Sequence, residues 1–183
     1  MLKIISAAVA LLLAAPAAGL ARTPVVDPSG AEHCTKTGGA VQTRIPEYGT
    51  NGGTPLVLAG PRQFCQYLSK DGSTQIDVLL TTLVTKQPTL AALAYYAEVQ
   101  YNGANCTGSP GSCYCSQIGG TDLFGGINAA GGGWVLNTDN TDVLDACIFP
   151  DLSSIDTYGL FYHSVGIIRG QNLAHKLRYK NPN

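Results

Sequence analysis

Charge is what this chain has least of. Only 13% of its residues are Asp, Glu, Lys or Arg, and the net charge is −1. That excludes the basic stripe of a nucleic-acid binder and the polybasic segment that holds to anionic membranes. Long apolar runs are as scarce. Past the N-terminal segment no stretch approaches the about 20 apolar residues that span a bilayer. Catalytic signatures are missing too. There is no Gly-x-Ser-x-Gly elbow, no His-Glu-x-x-His metal helix and no Gly-x-x-x-x-Gly-Lys phosphate loop. The three histidines fall in unrelated settings. With so little charge the surface must consist of Thr, Ser, Asn, Gln, Gly and Tyr, and 22 Gly and 10 Pro make it rich in loops. Such a surface suits contact with carbohydrate or protein.

What is present begins at the N-terminus. Met1-Leu2-Lys3 precedes an apolar run from Ile4 to Leu13, then small residues as far as Ala21. A positive start, a short apolar core and an Ala-rich exit describe a secretory signal peptide over residues 1–21, cleaved after Ala21 or after Ala18. No cysteine stands beside that site to accept a lipid. The expected product is therefore secreted, extracellular or periplasmic, with no insertion in a membrane. Its roughly 160 residues suffice for one ordinary domain or two very small ones.

The mature chain reads as one unit written twice. Cys34-Thr-Lys-Thr-Gly38-Gly39 returns as Cys115-Ser-Gln-Ile-Gly119-Gly120, and second cysteines follow in apolar settings at Cys65 and Cys147, after 31 and 32 residues. Further on, Ser73-Thr74-Gln-Ile76-Asp77 is echoed by Ser153-Ser154-Ile155-Asp156. Self-similarity at a fixed period points to a repeated unit. The divisions are an extended arm over 22–33, a first copy over 34–101, a linker over 102–114 and a second copy over 115–183. Units this small need staples, and six cysteines in an exported chain imply three disulfides. Fifteen pairings are open. The repeat selects Cys34–Cys65 and Cys115–Cys147, and leaves Cys106–Cys113 to close the linker. A zinc site on Cys106, Cys113 and Cys115 lacks matched hooks, so no metal and no cofactor are expected.

The expected fold is α+β. Each copy is a small antiparallel hairpin or sheet plus a short capped helix, and the two pack into one compact unit. Ala40–Arg44, Gln63–Leu68, Gly133–Leu136 and Val143–Phe149 read as strands. Thr89–Val99, after Pro88, is the clearest helix. Thr74 with Asp77, and Ser153 with Asp156, have the spacing of a helix-capping box, which predicts short helices after each. Asn137, Asp139 and Asp142 have calcium-ligand chemistry, but the glycine and distal glutamate of an EF-hand are missing. Trp134 belongs in the core. Asn105-Cys106-Thr107 is a glycosylation sequon.

The run Cys115-x-x-x-Gly119-Gly120, with Cys147-Ile-Phe149-Pro150-Asp151 and Ser154-Ile155-Asp156-Thr-Tyr158, resembles a small exported bacterial domain, domain of unknown function 333, which carries a hemolysin-like label. The first copy keeps Cys34, Gly38, Gly39, Cys65, Tyr67, Asp71-Gly72-Ser73, Ile76 and Asp77, inserts three residues before Ile76 and lacks the Phe-Pro. The family's trailing cysteine is missing in both copies. The resemblance implies a tandem of exported, disulfide-bearing modules and transfers no catalytic residue. No amphipathic pore segment stands behind the hemolysin label.

These features predict a secreted, non-enzymatic binding module for an extracellular protein or a cell-surface glycan. One version inhibits a secreted hydrolase by inserting the glycine-rich loop between Gly119 and Gly133. Its candidate contacts are Gly125, Gly126, Asn128, Gly131 and Gly132. A second reading is a polysaccharide-acting enzyme with Asp77, Asp151 or Asp156 as paired carboxylates. It requires two of them facing one cleft, about 5 to 9.5 Å apart. A third is an extracellular structural or matrix protein.

Overall fold

The computed structural model describes residues 28–104, 106–122 and 130–182. The expected signal peptide, the start of the arm, the sequon acceptor Asn105, and loop residues Gly125, Gly126 and Asn128 lie outside them.

Helix α1 (Pro28–Lys36) comes first among the described residues. Pro28 sits at its first position, where the missing N–H has no intrahelical partner to lose. The expected extended arm is thus helical from Pro28 onward. The helix stops ahead of Gly38, whose φ of +87° suits glycine, and Gly39 N–H donates back to the Cys34 carbonyl at 2.9 Å. Strands β1 (Ala40–Tyr48), β2 (Leu56–Val57), β3 (Arg62–Leu68) and β4 (Gln75–Leu79) follow, then α2 (Leu80–Val84) and α3 (Leu90–Ala97). Helix α4 (Pro110–Gln117) occupies the end of the expected linker. Ser109 caps it by accepting the Ser112 N–H at 3.2 Å, and Pro110 again stands first. It ends as α1 does, with Gly119 at φ +85° and Gly120 N–H donating to the Cys115 carbonyl at 2.9 Å. The rest is β5 (Thr121–Asp122), β6 (Gly132–Leu136), β7 (Asp139–Leu144), β8 (Ala146–Ile148), β9 (Ser154–Asp156), α5 (Thr157–Ser164) and a 3₁₀ turn (Leu173–His175).

The architecture is α+β. Among the described residues, five α-helices accompany one antiparallel sheet, ordered β5-β8-β9-β4-β3-β1-β6-β7, with β2 also on β1. Chain continuity curls this sheet. β7 and β8 lie far apart in that order, yet only Asp145 separates them, so Leu144 and Ala146 are within about 7 Å by bond geometry alone. The outer face carries the larger core. Cys65, Val78, Ile155 and Cys147 stand in one row across β3, β4, β9 and β8, beneath Tyr67, Ile76, Leu80, Leu83, Tyr95, Tyr114 and Leu160. Inside the curl, Phe64, Trp134, Leu144 and Ala146 form a second, smaller cluster. Phe64 and Trp134 meet edge to face at 5.3 Å.

Two expectations are corrected here. The stretch from Thr74 to Asp77 does not start a helix. Ile76 and Val78 bury on one face with Asp77 on the other, the period of a strand, and β4 pairs with β3 over five residues. The helix that follows has Leu79 as its N-cap, with no side-chain bond. Nor does the second half keep a hairpin to itself. The β6–β7 hairpin, which lies between Cys115 and Cys147, crosses to pair β6 with β1 over five residues.

Candidate ligand-binding grooves and a buried acidic pair

The three disulfides join Cys34 to Cys65, Cys106 to Cys113 and Cys115 to Cys147. All three cysteines of the zinc alternative are therefore spent as disulfides. Each long bridge ties a helix to a strand, α1 to β3 and α4 to β8.

Helix α3 receives its N-terminal hydrogen bonds from two sources. Thr89, its own cap, accepts the Ala92 N–H at 3.2 Å. The turn after β8 supplies the others: Asp151 accepts the Leu90 N–H at 2.8 Å, and Ser153 Oγ accepts the Ala91 N–H at 3.0 Å. Ser153 thus caps a helix, but not the one its own segment leads into. Asp156 alone of the expected caps serves its own helix, accepting the Tyr158 N–H of α5 at 2.9 Å. Thr74 Oγ1 instead accepts the Gly170 N–H at 3.0 Å.

This capping sets α3 with Ala91, Ala92 and Tyr95 inward and with Leu90 (42% exposed) and Leu93 (39%) outward. Leu90, Leu93 and Val99, which is 44% exposed, face Ile118, Phe149 and Pro150 across a groove of about 570 Å3. Three large apolar side chains left in water along one groove are unlike the singly scattered ones that need no explanation. A second groove, of about 530 Å3, lies between the Cys106–Cys113 loop and α4, with Tyr101, Asn102, Thr107, Ser116 and Asp122 on its walls. Gln117 lines both grooves. Its amide is held in place, donating to the Gln100 carbonyl at 2.7 Å and accepting the Asn102 N–H at 3.1 Å. Asp122 accepts from Ser112 Oγ at 2.7 Å.

The candidate loop contacts lie differently. Gly132 is inside β6 opposite Tyr48, and the Gly131 carbonyl accepts the Gly49 N–H at 2.9 Å. These two glycines carry sheet pairing and are not the tip of a projecting loop.

The paired-carboxylate reading meets a mixed outcome. Asp151 sits in a turn and bonds to Ser153 and α3. Asp77 and Asp156 come together. The antiparallel register that sets Val78 opposite Ile155 sets Asp77 across from Asp156 on the concave face. Both are buried, Asp77 completely, and neither lines either groove. Burial, with the Asp156 charge added, pushes the Asp77 carboxyl up to about 8, against a pull downward from Arg44. Burial raises Asp156 to about 6, countered by the Gly159 N–H and Arg169. Asp145 also rises to about 6, through burial and then Asp122. Both Asp77 oxygens lack a hydrogen-bond partner.

The buried cation of this interior, Arg44, went unforeseen. It is fully buried, and its Nη1 donates to the Trp134 carbonyl and to Asp142 Oδ1, each at 3.0 Å. Its signal was available in the period-2 alternation of β1, which puts Arg44 on the face of Gln42 and Phe64. Among the described residues no helix is long and apolar enough to cross a membrane, and no group of three or more His, Cys, Asp and Glu side chains is placed to hold a metal. The chain matches no protein-family model, and comparison with curated proteins and with solved structures likewise gives no match.

Proposed function

We propose that this chain is a secreted, non-enzymatic binding module built as a tandem of two units akin to domain of unknown function 333, and that its ligand is an extracellular protein. The observation that carries the reading is the exposed apolar groove of Leu90, Leu93 and Val99, continuous through Gln117 with a polar one. An extended peptide segment has both requirements at once, apolar side chains to bury and amide groups to satisfy. The three disulfides and the signal-peptide-like N-terminus support an oxidising, exported setting. The tandem is supported by matched pairs of turns, bridges and strands about the β4–β9 junction. The enzyme reading draws no support from the aspartates, since neither Asp77 nor Asp156 lines either groove. The polar groove, with one tyrosine among hydroxyl and amide groups, favours a neutral glycan as the second reading.

Selection of a random-peptide display library on the full protein tests the proposal. Enriched peptides should carry apolar anchors, and their binding should fall at least about tenfold with Leu93→Asp while surviving Leu58→Asp, an exposed apolar site outside both grooves. Enrichment indifferent to Leu93→Asp would defeat it. Glycan-array binding lost with Tyr101→Ala would turn the assignment to the second reading.

A further inference from the structure

The junction between β4 and β9 joins the two halves of the sheet. It is a slender one. Val78 and Ile155 form its register pair, against five pairs between β3 and β4. Beside that pair, on the concave face, stand two buried carboxyl groups on strands about 5 Å apart. Like charges directly opposite each other across a strand pair oppose pairing, and in a site withdrawn from water the repulsion is large. The two groups are not equally provided for. Asp156 accepts the Tyr158 N–H at the start of α5, where the helix dipole favours a carboxylate, with Arg169 nearby. Asp77 accepts no hydrogen bond at either oxygen. An ionised carboxylate with no donor is among the costliest groups to bury, whereas a protonated one is neutral.

We infer that Asp77 and Asp156 hold one proton between them, resident on Asp77, and that its loss to solvent loosens the β4–β9 junction, making it a pH-sensitive joint. The charged groups around the pair are accounted for. Arg44 of β1 faces Asp77 but is already paired with Asp142 of β7. Asp156 is faced by Arg169 and Asp145, and Asp145 in turn by Asp122. Among the described residues Arg44 is thus the cation that steadies Asp77, and it is shared. The direction follows from linkage. A group that binds its proton more tightly when folded contributes stability present in full below the unfolded value, 3.8 here, and loses it as pH rises through the folded value. The joint is therefore firm in acid and weakens toward pH 8. The inference does not depend on the groove reading, since the pair lines neither groove.

Urea unfolding of the full chain from pH 4 to pH 9, beside Asp77→Asn and Asp156→Asn, tests it. Asn keeps an oxygen for the Tyr158 N–H and cannot ionise. The ratio of folded to unfolded wild type should fall between pH 4 and pH 8 by more than about tenfold relative to Asp77→Asn. Carbon-13 NMR of the wild-type carboxyl groups should show the two residues titrating in coupled steps that become a single step for Asp156 in Asp77→Asn. If Asp77→Asn fails to fold, Asp156→Asn supplies the same comparison with Asp77 as reporter. Parallel stability profiles, or both carboxyl groups titrating independently near their ordinary values, would overturn the inference.

Discussion

One added methyl group would clash where each Gly-Gly turn meets its disulfide. A Cβ on Gly120 would lie 2.3 Å from Cys147 Sγ, 2.9 Å from Cys115 Sγ and 3.3 Å from the Cys115 carbonyl oxygen. Comfortable contact needs about 3.5 to 4.0 Å, so a sulfur or the turn must move by about 1 Å. Neither yields easily, because both cysteines are fully buried and the bridge is anchored in α4 at one end and β8 at the other. Overpacking in such a place costs about 1–3 kcal/mol, and Gly120→Ala belongs near the upper end. Removing the bridge with Cys115→Ala and Cys147→Ala releases a loop of 32 residues and costs about 4 kcal/mol in the chain-entropy model. The two effects should not add. Without sulfur the nearest remaining atom is the carbonyl oxygen, so Gly120→Ala becomes almost free, and the coupling is about 2–3 kcal/mol. At Gly39 the Cβ would meet Cys65 Sγ at 2.3 Å but also Tyr67 Cε1 at 2.9 Å. Loss of its sulfurs therefore relieves only part of the penalty. Guanidinium unfolding of the four variants in each cycle, with the other disulfides intact, measures this. Additivity within about 0.5 kcal/mol at Gly120 would show that the turn, and not the sulfur, demands glycine.

Three further perturbations read other parts of the fold. Arg44→Met should destabilise by about 1–3 kcal/mol in urea, because it takes the buried donor away from the Trp134 carbonyl and from Asp142. His163 lies stacked on Tyr95 at 3.9 Å, with Glu98 at 3.2 Å. Burial lowers its proton affinity from the ordinary 6.5, opposed by Glu98. Its stabilising contribution is therefore complete above pH 6.5 and falls as pH drops toward the folded value, and its NMR titration midpoint should lie below 6.5. Thr89→Ala removes the α3 cap and should cost about 1 kcal/mol in a thermal melt, with the Asp151 and Ser153 bonds to that helix left in place.

Much was legible in the residues because it depends on local chemistry or on repetition. Cys34–Cys65 and Cys115–Cys147 follow from two nearly identically spaced motifs, and Cys106–Cys113 from what remains. Trp134 as core needed only a period. The starts of α1 and α4 are equally written, in Pro28 and in Ser109-Pro110, but Pro and Ser serve turns as well as first helical positions, so these residues alone do not separate helix from loop. The capping-box pattern at Thr74–Asp77 failed for a different reason. A short Ser/Thr-x-x-Asp segment fits a helix start or a half-buried strand alike, and pairing with β3 outweighed local preference. Alternation alone could have put Arg44 and Asp77 on the faces they occupy. It could not have told that those faces turn inward, since that required the sheet to curl until β7 runs into β8. Composition, spacing and turn chemistry thus determined the bridges and several of the elements of this protein. Only the tertiary structure decided that two aspartates 79 positions apart in sequence stand opposite each other, and that Leu90, Leu93 and Val99 remain exposed along one groove. Register and curl are set by how distant surfaces bury one another, and no local stretch of chain contains that information.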